Sequence, residues 1–333
     1  MARESEIIAQ LRKRARVGRQ VLVGIGDDAA VINGAGGKDL IACCDLLAEG
    51  IHFQAEWMPA RLLGRKALAV NLSDVAAMGG VPRFAMISVA IPRKYSSEFI
   101  DELFGGVFEL AEASGVSIIG GDTSGSRDSL FVDVSVLGEC ESGRAVTRGG
   151  AKPGDAIYVT GSLGASALGL FLLESGFNLN KSEDESSANI QAVLKHLCPN
   201  PQLKLGRAIG DEGVATAMID ISDGLSTDLG HICDESGCGA IILAGAIPIA
   251  ECVKSLTSES EDIDPLALAL HGGEEYELLF TARPENQRRI EDLSVACEVG
   301  VSSIGNILPG RGLQMERDSK LEPLASLGYE HQI

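Results

Sequence analysis

Short apolar runs along the chain alternate with longer stretches in which apolar residues recur at helical spacing. Residues 39–44 (DLIACC) form such a run and predict a buried strand. Residues 60–78 carry helical spacing that stops at Gly79-Gly80, with Pro82 just beyond, so a helix ends there. Strand-like residues 83–91 follow. A helical pattern then covers 96–114, and 116–119 (VSII) predicts a short apolar strand. Residues 130–138 (LFVDVSVLG) alternate as a half-buried strand does. This half mixes strands and helices without two long crossovers, so a mixed sheet is expected rather than a purely parallel one.

The run Gly149-Gly150-Ala151-Lys152-Pro153-Gly154 punctuates the pattern and reads as a domain junction. Beyond it, 156–160 predicts a strand, 164–175 a helix and 178–189 a polar exposed loop. Residues 215–221 (ATAMIDI) predict a strand that leads into a helix from Ser222 or Asp223. Two more strands are expected at 276–282 (YELLFTA) and 299–307. At 333 residues the chain exceeds what one core usually holds. The expected fold is α/β (α+β) in two domains, 1–148 and 149–333. The 40 glycines and 4% aromatics fit layered α/β structure with many tight turns.

A net charge of −19 repels nucleic-acid phosphates and anionic membranes. Neither nucleic acid nor membrane is an expected partner. The charge also repels anionic substrates unless cations bridge them, although solubility alone accounts for most of it. The N-terminal stretch MARESEIIAQLRKRARVGR has no apolar segment after its basic residues, and no apolar run approaches about 18 residues. The expectation is a soluble, cytoplasmic protein. The eight cysteines show no paired CxxC spacing, so reduced thiols are expected.

The chemistry lies in the aspartates. Asp27 and Asp28 occupy the Gly-rich turn GIGDDAAVI, Asp45 ends an apolar run, and Asp122 follows a strand and two glycines. Asp220 and Asp223 bracket the end of ATAMIDIS, and Asp74 sits inside an apolar helix. Aspartate is common in turns and at helix N-caps, and Ser222 or Asp223 fits such a cap. Asp74, in mid-helix, has no such role. Burying several carboxylates together is costly unless a divalent cation gathers them, and hard oxygen ligands suit Mg²⁺. There is no GxxxxGK[ST], GxGxxG, HExxH or GxSxG pattern in the context each needs. These residues point to metal-bridged nucleotide binding without a standard phosphate loop. A non-catalytic divalent-metal-binding protein is the alternative.

Seven stretches, in order and spread over nearly the whole chain, resemble the thiamine-monophosphate kinase family. They are GIGDDAAVI (24–32), DLLAEGIHF (45–53), KALAVNLSDVAAMGG (66–80), IIGGDTSG (118–125), RAVTRGGAKPGDAIYVTG (144–161), IDISDGLSTDLGHI (219–232) and GGEEYELLFT (272–281). The ending GYEH (328–331) is also similar. The wider superfamily includes aminoimidazole ribonucleotide synthetase, and another of its ATP-dependent enzymes is the rival assignment. The resemblance implies an N-terminal domain that pairs across a two-fold axis in a homodimer, and a C-terminal α/β domain over the nucleotide.

It further implies ATP-dependent phosphorylation of thiamine monophosphate by in-line transfer, the last step of thiamine diphosphate biosynthesis, with several Mg²⁺ ions and ATP as co-substrate. Asp28, Asp45, Asp74, Asp122, Asp220 and Asp223 match metal ligands. Gly121, Asp122, Arg148 and Ser222 match nucleotide contacts. His52, Glu274 and Tyr329 match residues that hold thiamine monophosphate. No general base is nominated. Cys43 and Cys44 stand where the family usually has Ser or Thr, and a soft thiol suits Mg²⁺ poorly. They rank below the aspartates as ligands.

Overall fold

The structure is a computed structural model that describes residues 4–179, 187–257 and 263–331. Helix α1 (Glu4–Arg14) places acidic residues in its first turn and basic residues in its last, as the helix dipole favours. It buries none of its residues, but its start meets the C-terminal tail, where the Glu4 N–H donates to the His331 carbonyl.

Strands β1 (Val21–Val23), β2 (Ala30–Asn33), β3 (Lys38–Ala48), β4 (Val81–Pro92), β5 (Ser117–Ser126) and β6 (Phe131–Glu141) form one sheet in the order β1-β2-β3-β6-β4-β5. Only β4 and β5 pair in parallel, so the sheet is mixed as expected. Helices α2 (Ala60–Ala77) and α3 (Ser97–Ser114) cover one face. They cross almost backbone to backbone. A Cβ at Gly64 would strike the Leu103 carbonyl, and one at Gly106 the Arg61 carbonyl. Ile41, Ile87, Val134 and Val136 point into this core against Leu68, Leu72 and Val75.

Register decides what faces the core. Asp45 pairs with Val134 and Cys43 with Val136, so both lie on the covered face, while Cys44 and Leu46 lie on the outer one. The expected strand at 116–119 runs on through Gly120, Gly121 and Asp122, because β5 lies parallel along β4 as far as Ser126. Glycines are poor strand formers, which hid this extension. A Cβ at Gly121 would collide with the Ile87 backbone, so the close approach needs glycine there.

The second sheet takes its strands from beyond residue 155. In chain order the elements are β7 (Ala156–Thr160), α4 (Ala165–Glu174), α5 (Ala188–Leu197), α6 (Leu203–Glu212), β8 (Ala215–Asp220), α7 (Leu225–Ser236) and β9 (Gly239–Leu243). Next come α8 (Glu251–Thr257), α9 (Pro265–His271), β10 (Leu278–Ala282), α10 (Gln287–Cys297), β11 (Val301–Leu308), β12 (Gly312–Arg317) and β13 (Lys320–Pro323). The sheet order is β13-β12-β9-β11-β7-β10-β8. Of the expected loop at 178–189, residues 180–186 lie outside the described residues, and Ser187 caps α5 by accepting from the Ile190 N–H.

Helix α7 starts at Leu225, later than expected, with Gly224 at its N-cap. Asp228 reaches back from the first turn and accepts the N–H groups of Asp223 and Gly224. Capping is therefore done from inside the helix, and Ser222 and Asp223 are released from that role. Helix α2 touches both layers. Its end packs on α6, where a Cβ at Gly206 would strike the Ala76 carbonyl, and Ser73 hydrogen-bonds Asp220 of β8 at 2.5 Å. No helix among the described residues is long and apolar enough to cross a membrane.

Candidate active site

Three elements deliver carboxylates to one point. The loop after β1 brings Asp28, α2 brings Asp74, and the last residue of β8 is Asp220. One oxygen from each lies within 4.8 Å of the others. The Asp28 side chain is fully shielded from solvent, and Arg148 donates to its Oδ1 from Nη2 at 2.6 Å and Nε at 3.2 Å. Its Oδ2 has no hydrogen-bond partner among the described residues. The Arg148 backbone N–H also donates to Asp27, which tethers the segment after β6 to the loop after β1.

The electrostatics record the crowding. Burial, then repulsion from Asp45, Asp220 and Asp28, pushes the Asp74 carboxyl well above the usual range. Burial and the Asp28 charge push Asp220 up to about 8, against the Ser73 hydrogen bond and Arg148. Burial raises Asp28 despite Arg148. Asp45 is raised chiefly by burial. Its N–H donates to the buried amide of Asn71, whose own NH₂ donates to the Ala67 carbonyl, so α2 fixes β3 at this point.

Cys43 and Cys44 separate. Burial, with Asp74 and Asp45, raises the Cys43 thiol well above its ordinary value, and it stays protonated and donates to the Asn71 carbonyl at 3.4 Å. Cys44 donates to Asp133 on the outer face. The β4–β5 register sets Gly121 in the inner row with Ile87 and Asp122 in the outer row with Ser88. Asp122 is exposed there, and the structure does not gather it with Asp28, Asp74 and Asp220. Asp223 instead joins Asp228 and His231, with ligand-capable atoms again within 4.8 Å. Burial first, then Glu4, raises Asp223 to about 6. The Ser222 carbonyl accepts the Glu274 N–H at 2.7 Å, which seats segment 272–277 on the turn after β8.

A second neighbourhood adjoins this one. His52 Nδ1 accepts the Ala48 N–H, and its Nε2 lies 3.3 Å from His331 Nε2. The Tyr329 hydroxyl lies 3.1 Å from His331 Nδ1, and the Tyr329 N–H donates to the Asp223 carbonyl. Burial and His331 lower the His52 pKa, while the charge of Glu274 opposes them. The charge of Glu274 thus acts on this neighbourhood. Glu274 pairs with Lys66 at 3.0 Å and His196 at 3.1 Å. His331, Lys66, His196 and Asn71 were missed in the sequence. The ending GYEH held a signal for the first, and a buried Asn three residues before Asp74 for the last.

Two family models cover most of the chain. The model of the N-terminal domain of AIR synthase related protein matches residues 26–140, and that of its C-terminal domain matches 152–318. A thiamine-monophosphate kinase of Bacillus subtilis is 36% identical over 330 residues, covering 98% of this chain and 99% of the relative. The thiamine-monophosphate kinase of Escherichia coli K12 is 38% identical over 332 residues, covering 98% of each. The chain belongs to the thiamine-monophosphate kinase family. Among solved structures, AaThiL complexed with AMPPCP and TMP aligns with a TM-score of 0.85 and 31% identity, over 99% of this chain and 97% of that one. The likeness thus extends over nearly all of both chains, through both sheets.

Proposed function

We propose that this member of the thiamine-monophosphate kinase family transfers the γ-phosphoryl group of ATP to thiamine monophosphate, and that the transfer depends on Mg²⁺. The observation that carries the reading is the convergence of Asp28, Asp74 and Asp220, with the linked His52, His331 and Tyr329 nearby and Glu274 close enough for its charge to act on His52. The family name of its relatives and the AMPPCP and TMP of the solved neighbour support it.

The carboxylates fit a divalent cation. They are hard oxygen donors, one Asp28 oxygen is buried without a hydrogen-bond partner among the described residues, and their pKa values are raised by one another. Asp28, Asp45, Asp74 and Asp220 would hold Mg²⁺, with Asp223 as a further ligand; Asp122, exposed on the outer sheet face, stands apart from them. Mg²⁺, when bound, supplies the positive charge that lets two polyanions approach. Arg148 adds the fixed cation of the site and holds Asp28 in place. Gly121 and Ser222 are the proposed nucleotide contacts.

The acceptor phosphate has a second pKa of about 6 and is largely ionised at neutral pH, so the chain need supply no base. Its task is orientation and charge complementarity. Glu274 offers a carboxylate to the cationic thiazolium, and Tyr329 and His52 offer ring faces and hydrogen bonds. We place the domain division at 148/149, between β6 and β7. The exposed outer-face residues Leu40, Leu46, Phe84, Met86 and Phe131 form an apolar sheet face suited to a second copy, and a homodimer is part of the proposal.

Calorimetric titration tests the reading. AMPPCP binds with Mg²⁺ and not in EDTA, and thiamine monophosphate then binds to that complex. Nucleotide binding of equal strength in EDTA would refute the metal-bridged site.

A further inference from the structure

Lys66 lies in α2 with none of its side chain exposed. A buried lysine is costly, and replacing a whole buried ion pair by well-packed apolar residues is often neutral or stabilising, whereas removing one partner strands the other charge. Its Nζ donates to Glu274 Oε2 at 3.0 Å, across 208 residues of sequence. His196, also buried, reaches the same oxygen at 3.1 Å. The His196 nitrogen at this distance is Nδ1. Ser166 Oγ lies 3.2 Å from that same nitrogen.

Lys66 and the neutral His196 therefore converge on one oxygen. The other, Oε1, makes no hydrogen bond with the described residues, and the Glu274 side chain keeps 26% of its surface open. The backbone is constrained as well. Glu274 and Tyr276 hold φ values of 59° and 51°, a left-handed region that non-glycine residues seldom adopt. Their N–H groups are tied to the carbonyls of Ser222 and Ile221 at 2.7 and 2.8 Å. Such geometry persists only where the surroundings over-determine it.

Lys66 also shares its helix with Asp74. Eight residues at 1.5 Å each set them about 12 Å apart along the axis of α2. One rigid rod thus carries an anchor for Glu274 and a member of the carboxylate cluster.

We infer that Lys66 is a positioning residue for the acceptor substrate: it anchors one oxygen of Glu274 so that the other meets the cationic thiazolium ring of thiamine monophosphate at a fixed distance from the phosphoryl-transfer point. The inference rests on the kinase reading. It assigns His196 the supporting role of completing the anchor.

The test is a double-mutant cycle with Lys66→Met and Glu274→Gln, measured by steady-state turnover with thiamine monophosphate and ATP varied separately. Lys66→Met is expected to raise KM for thiamine monophosphate at least tenfold and to leave KM for ATP within twofold. Adding Lys66→Met to Glu274→Gln is expected to change KM less than threefold further, because the lysine acts only through that carboxylate. Where Lys66→Met alone fails to fold, having stranded a buried charge, the double variant removes both charges and is compared with Glu274→Gln alone. An unchanged KM for thiamine monophosphate, a matching rise in KM for ATP, or effects that multiply in the double variant would overturn the inference. A wild-type protein that turns over no thiamine monophosphate would overturn the kinase reading and this inference with it.

Discussion

Replacing Asp74 with Asn separates the cost of the carboxylate cluster from its use. Oxygens of Asp28, Asp74 and Asp220 lie within 4.8 Å of one another. At that distance and an effective dielectric of about 20, two unit charges repel by about 3.5 kcal/mol. Protonation relieves part of this, since Asp220 is pushed up to about 8 and Asp74 well above its usual range. Raised folded-state pKa values mean that the native protein holds protons the unfolded chain has lost. Metal-free stability therefore falls as pH rises from the unfolded value near 4 through about 8. At pH 8 the Asp74→Asn protein in EDTA should be more stable than wild type by about 2–4 kcal/mol, raising its melting temperature by several degrees. The same variant loses a ligand. Stabilisation by Mg²⁺ should shrink, and turnover should fall by roughly 10³-fold or more, equivalent to about 4 kcal/mol of transition-state stabilisation. Scanning calorimetry with and without Mg²⁺, beside a turnover assay, reads both effects. A variant less stable than wild type in EDTA, with wild-type turnover, would refute the reasoning.

Three further outcomes follow from the same geometry. Arg148→Met leaves Asp28 buried without its cation, so the metal-free protein should lose stability by a few kcal/mol, as measured by urea titration in EDTA. His196 is lowered to about 4 by burial and by Lys66, so it folds neutral and contributes stability that is lost as pH falls from about 6.5 to about 4. In His196→Asn the decline between pH 7 and 4.5 should be shallower by about 2–3 kcal/mol; Glu275, raised to about 7 chiefly by burial, acts in the opposite sense in both proteins and cancels in the comparison. The proposed homodimer predicts that Phe84→Asp on the exposed outer sheet face shifts sedimentation from dimer to monomer; an unchanged dimer would move the interface elsewhere, and a monomeric wild type would refute the proposed dimer.

Much of the fold is written in local pattern. The alternation of 130–138 and the apolar 39–44 gave strands because one face of each is buried. The helix of 60–78 ended at Gly79-Gly80 because glycine terminates the repeat. The extension of β5 through Gly120 and Gly121 was hidden, since its cause is pairing with β4 and not propensity. The start of α7 was misplaced because its cap comes from Asp228 inside the helix. At the site, Asp74 was conspicuous as a carboxylate in an apolar helix. Its meeting with Asp28 and Asp220 came from the family resemblance and not from local pattern, because residues far apart in sequence are joined only by the packing of α2 on both layers. Register set Asp122 on the outer face, which no one-dimensional pattern displays. Lys66 was invisible for a related reason: in KALAV it looks like a solvent-reaching lysine, and only the fold buries it against Glu274.

The central claim is tested most directly by following thiamine diphosphate chromatographically in a mixture of protein, ATP, Mg²⁺ and thiamine monophosphate. The account predicts product that forms with thiamine monophosphate, fails to form from free thiamine, and vanishes with EDTA. ATP and Mg²⁺ bound without any thiamine diphosphate would contradict it, leaving the fold and the carboxylate cluster to serve a different acceptor.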